Sequence, residues 1–102
     1  MVNWKNSDPS RDPAQTDSTY STADVTGISD VLHTFKYVWE RGRISYYVDG
    51  VLKATHTTNV PTAAAYFMIN HWGANSQSFG GLATPGVTRC FYVDWVRYTP
   101  PR

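Results

Sequence analysis

Acid–base chemistry needs titratable side chains in pairs, and this chain supplies few. Its 102 residues hold one glutamate, Glu40, and seven aspartates, at 8, 12, 17, 24, 30, 49 and 94. No two of these acids take alternate positions in a strand-like run, the spacing that sets two carboxylates on one face. His33, His56 and His71 lack zinc-type spacing with one another or with Cys90. Cys90 is the sole cysteine, so it forms no internal disulfide. It reads as a small buried hydrophobe, because a nucleophilic thiolate needs a nearby base or cation. Aromatic rings are what the chain has in excess: seven Tyr, four Trp and four Phe make up 15%. Such rings suit strands, and they suit surfaces that stack on flat ligands. Tyr66, Met68, Asn70 and Trp72 share parity, so on a strand all four project from one face. On residue types alone, a core tryptophan with Asn70 bonded to a loop backbone leads, and a stacking site is the alternative.

The elements that would position these residues are strands, since no 3.6-residue apolar period runs for ten residues anywhere. In Leu32–Glu40, Phe35, Tyr37 and Trp39 fall on one face and Thr34, Lys36 and Glu40 on the other. After the Arg41-Gly42-Arg43 turn come Ile44–Val48, Asp49-Gly50 and Val51–Thr55. Asp-Gly between two such runs predicts a type I′ hairpin, which needs positive φ at both central residues. Tyr66–Trp72 and Arg89–Tyr98 read as two more strands, separated by a loop at 73–88 with four glycines and a proline. Short strands are expected near Val2–Trp4 and Thr19–Thr22, and His56 falls in a loop. The rest of Lys5–Asp30, dense in Pro and Asx residues, is expected to be loop. The last strand is apolar on both faces, as in a strand buried between two layers.

Length and composition fit one all-β domain, an antiparallel sandwich over residues 1–102, with a polar segment at 5–30 and a strand-rich core at 32–98. At 41% hydrophobic and 17% charged, the chain has enough apolar surface for a core. Nine Lys and Arg against eight Asp and Glu leave a formal charge of +1, which argues against nucleic acid as a partner. No apolar run approaches the roughly 20 residues of a membrane helix, so no membrane partner is expected. Met1–Ser7 has no apolar signal region, so a cytoplasmic location is expected unless the chain is a piece of a secreted enzyme.

The runs His33-Thr34-Phe35, Trp39 and Arg43–Lys53 resemble the C-terminal half of the laminarinase and lichenase β-glucanases of glycoside hydrolase family 16. The resemblance continues through Thr58–Pro61, Met68–Gly73 and Tyr92–Tyr98, and it covers about Leu32 to Tyr98. It pairs Asn3-Trp4 with an Asn-aromatic pair that follows the family's catalytic strand. It implies a concanavalin-like β-jelly roll, here partial, whose exposed strand edges would invite a second copy to complete it. The family's catalytic pattern, E-x-D-x-E, does not occur in this sequence. Retaining hydrolysis sets nucleophile and acid about 5–5.5 Å apart, which alternate strand positions deliver. The resemblance therefore implies the scaffold and part of a cleft without the chemistry, so no catalytic residue is assigned.

In the family the Asn and Trp of this motif face the glucan cleft, which carried over makes Asn70 and Trp72 sugar-binding residues. Met68 and Tyr66 share their face, and Trp4 is a further stacking candidate. A Trp face packs on the C–H face of a pyranose, and an amide bonds hydroxyls in both directions. Asp94 stands where the family's calcium-binding aspartate lies. Calcium takes about six to eight oxygens, several from upstream segments, so no cofactor is expected and Asp94 is read first as a cap or an arginine partner.

Three functions compete. The first is a non-catalytic β-glucan-binding module. The second is a self-assembling homodimer or higher homo-oligomer from a truncated reading frame, driven by exposed sheet edges. The third is half of a β-glucanase whose catalytic strand lies on another segment.

Overall fold

A computed structural model describes residues 1–8 and 18–101. The chain divides into two compact units, Met1–Ala65 and Tyr66–Arg102. Five strands lie in the first: β1 (Val2–Asn6), β2 (Thr19–Ala23), β3 (Phe35–Glu40), β4 (Arg43–Val48) and β5 (Val51–His56). β1 and β2 form an antiparallel pair running from Val2 opposite Ala23 to Asn6 opposite Thr19. β3, β4 and β5 form a second antiparallel sheet with β4 at its centre. The expected all-β architecture is what the chain adopts, and both short strands form. The loop expected at 9–17 lies outside the described residues.

β4 organises the core because both of its edges are paired. Ile44, Tyr46 and Val48 project from one face and are buried together with Trp4 of β1 and Val60. Val2, Ala23, Val25 and Ala54 pack around them. The Trp4 and Tyr46 rings lie 5.8 Å apart, and Tyr37 meets Tyr46 edge-on at 5.6 Å. Register places Phe35, Tyr37 and Trp39 opposite Val48, Tyr46 and Ile44, so the period-two face is real. β3 is an edge strand, however, and its three aromatics keep much of their surface in solvent. Trp39 uses its indole N–H to bond the Pro61 carbonyl at 3.0 Å.

The β4–β5 hairpin turns at Asp49 and Gly50, with φ of 50° and 80°. Both central residues are in the left-handed region, as a type I′ turn requires. Asp49 is also bonded across the sheet end. Its carboxylate accepts from the Thr34 N–H at 2.9 Å and from His33 Nδ1 at 2.7 Å. His33 Nε2 faces the Gly27 carbonyl at 3.1 Å. Both partners of the ring only accept, which favours the doubly protonated imidazolium, and the His33 pKa is raised, first by the Asp49 bond.

Other expectations fail. No strand forms at Tyr66–Trp72 or Arg89–Tyr98; the second unit's only pairing among the described residues is isolated bridges from Ser76 to Phe79 and Gly81. A strand persists when a neighbour takes its N–H and C=O groups, and here no described segment pairs with these two. Phe91, Val93 and Trp95 are correspondingly exposed rather than sandwiched. Cys90, expected to be buried, is exposed with them. His56 is the last residue of β5, not a loop residue, and it is buried.

Candidate functional site

In the second unit the chain from Asn75 to Ala83 closes a tight turn. The Ser76 N–H donates to the Gly81 carbonyl at 3.0 Å, and the Phe79 N–H to the Ser76 carbonyl at 3.2 Å. The Asn75 side-chain oxygen accepts from the Ala83 N–H at 3.0 Å. Gly80 takes φ 76°, and a Cβ built there would stand 3.1 Å from the Ala74 methyl. Only glycine fits both the conformation and the space.

This turn forms one wall of an open concavity of about 860 Å³. Its lining includes Trp72, Phe79 and Leu82, with His71, Thr84 and Arg89 as polar members. His71 and Trp72, placed on opposite faces by strand parity, both line it because no strand forms here. Trp72 keeps 72% of its surface exposed, so a ring face is open to a ligand. The His71 ring lies 6.0 Å from that of Phe91. An indole, a phenyl ring, a guanidinium and a hydroxyl in one hollow can stack on an apolar ligand face and bond polar groups at its rim.

The other sequence-derived candidates scatter. Asn70 neighbours Trp72 in the chain and is exposed, but it is outside the lining of the hollow. Tyr66 and Met68 are exposed as well. Trp4 is a correction: at 3% exposure its ring packs on Tyr46 in the core and has no face for a ligand. Asp94 is exposed, and no three His, Cys, Asp or Glu among the described residues come together as metal ligands. Arg89, Phe79 and Thr84 were missed. Their separation of five or more residues hides them from a parity argument, and only the closure of the 75–83 turn brings them to Trp72.

Glu40, the lone glutamate, ends β3, and its carboxylate accepts from Arg43 Nε at 2.8 Å across the β3–β4 turn. It is thereby occupied in an ion pair, and no second carboxylate faces it among the described ion pairs.

Comparison with known proteins accounts for this scaffold. The family model described as glycosyl hydrolases family 16 matches residues 11–97. A beta-glucanase of Paenibacillus polymyxa is 40% identical over 72 residues, which cover 70% of this chain and 30% of that protein. A beta-glucanase of Paenibacillus macerans is 38% identical over 68 residues, covering 66% and 29%. One of Bacillus subtilis is 35% identical over 72 residues, covering 70% and 30%. The chain thus spans about 30% of the length of these relatives. No solved structure matches it. With antiparallel sheets throughout its described strands and a family match across most of its length, the chain belongs to glycosyl hydrolase family 16 and carries part of that family's jelly roll.

Proposed function

We propose that this chain binds β-glucan without cleaving it, using the Trp72 hollow as its contact. The observation that carries the proposal is Trp72 itself, an indole face left open beside Phe79 and Arg89. Pyranose rings present an apolar C–H face to stack on Trp72 and Phe79, while Arg89 and Thr84 donate to ring hydroxyls. Asn70, next to the hollow in sequence, adds an amide that a longer glucan reaches. The relatives are beta-glucanases, which supports a glucan over another flat ligand. Cleavage is left out because one glutamate, held by Arg43, cannot serve as both nucleophile and acid. With few stacking platforms, affinity is expected on the order of millimolar to high micromolar. Electrophoresis through gels containing lichenan tests this: the chain is retarded and Trp72→Ala is not. Equal migration of both with and without lichenan overturns it.

Exposed apolar side chains favour a second reading, self-association. Phe67, Ile69, Phe91, Val93 and Trp95 all keep large apolar surfaces in solvent, more than a stable monomer usually shows. Light scattering at tens of micromolar checks it, and a mass of 11.5 kDa excludes it.

A further inference from the structure

His56, the last residue of β5, stands where the two sheets of the first unit meet, and its ring is bonded to both strands of the β1–β2 sheet. Nδ1 is bonded to the Asn6 side-chain oxygen of β1, and Nε2 faces Ser21 Oγ of β2 at 2.8 Å. Its ring edge meets Tyr46 of β4 at 5.0 Å between centroids. The protonation state follows from the neighbours. Asn6 Nδ2 donates to the Thr58 and Asn59 carbonyls at 2.9 and 2.7 Å, which fixes the amide so that its oxygen faces His56. An amide oxygen only accepts, so Nδ1 carries the proton. In the neutral ring Nε2 is then the acceptor for the Ser21 hydroxyl. The Tyr46 hydroxyl also donates to the Asn6 oxygen, at 3.4 Å. Every polar atom of this group has a partner while His56 is neutral.

We propose that His56 is a proton-operated latch whose protonation releases the β1–β2 hairpin from the β3–β4–β5 sheet. A second proton on Nε2 turns an acceptor toward Ser21 into a donor, so the Ser21 hydroxyl hydrogen must turn away and its oxygen accept instead. It also places a positive charge at 4% exposure beside the Tyr46 ring of the core. The groups facing His56 are the Asn6 amide on β1, the Ser21 hydroxyl on β2 and Tyr46 on β4, itself edge-on to Tyr37 of β3. None of the described contacts to the ring comes from a carboxylate. Burial accordingly lowers the His56 pKa below the ordinary value. His33 behaves oppositely, since its bond to Asp49 favours the protonated ring and raises its pKa at the far end of the β3–β4–β5 sheet. Acidification therefore loosens one sheet and leaves the other fastened.

The test is hydrogen exchange on the full chain between pH 7.5 and 5, expressed as protection factors for each strand. Amides of Val2–Asn6 and Thr19–Ala23 should lose at least tenfold in protection as pH falls, while those of Arg43–Val48 hold. In His56→Gln, which stays neutral, that loss should vanish. Parallel loss in both sheets, or the same loss in His56→Gln, overturns the proposal. If His56→Gln does not fold, the ring nitrogen shifts of His56 in the unaltered chain decide. They should report one protonated nitrogen, Nδ1, at pH 6.5 and titrate below it; titration at or above 6.5 contradicts the latch.

Discussion

At the scale of single residues, the side chains that hold the first unit differ in kind from those proposed to face a ligand. Trp4 fills the core between the sheets, so Trp4→Ala should cost about 3–5 kcal/mol, read from denaturant unfolding, a large share of the stability of so small a unit. Asn6 matters for its bonds. Asn6→Ala leaves the Asn59 carbonyl and His56 Nδ1 without this partner and the Thr58 carbonyl with Thr19 alone, and a loss on the order of 2–3 kcal/mol is expected in the same measurement. Trp72→Ala should leave unfolding unchanged, because its ring contributes open surface rather than core. The sequence marked Trp72 and Trp4 alike as stacking candidates, and burial separates them. What distinguishes them is invisible in residue type: Trp4 lies in a strand with a sheet to pack against, and Trp72 does not.

At the scale of elements, hairpins were legible and long-range partners were not. Asp49-Gly50 specified its own turn, because the φ it needs is a local property. The alternation in Phe35–Trp39 likewise fixed a face before any fold was in view. Tyr66–Trp72 and Arg89–Tyr98 carry equally strong β patterns and do not form strands, since a ladder depends on a neighbour that pattern alone cannot supply. His56 was missed because its role needs Asn6 and Ser21, 50 and 35 residues away. The two histidines give the first unit a predictable pH profile. His33 has a raised pKa, so its stabilising contribution is complete below 6.5 and is lost as pH rises through its folded value. The lowered pKa of His56 acts in the other direction, with stability present above 6.5 and lost as pH falls through the folded value. Stability to urea should therefore peak near pH 6.5, with His33→Gln flattening the alkaline side and His56→Gln the acid side. Urea midpoints measured across pH 5 to 8 check this, and a single slope across that range would contradict it.

At the scale of the whole molecule, the chain carries part of the jelly roll of glycosyl hydrolase family 16, and the E-x-D-x-E pattern does not occur in its 102 residues. Its match to glycosyl hydrolase family 16 spans residues 11–97, and its single glutamate, Glu40, is ion-paired with Arg43. Its open aromatic hollow takes the proposed role of binding β-glucan. The measurement that tests this most directly is migration through native gels with and without lichenan, comparing the chain with Trp72→Ala. Retardation of the unaltered chain alone, with no reducing ends released from the polysaccharide, is the predicted result. Identical mobility of both proteins in both gels, or release of reducing ends by the pure chain, would contradict it.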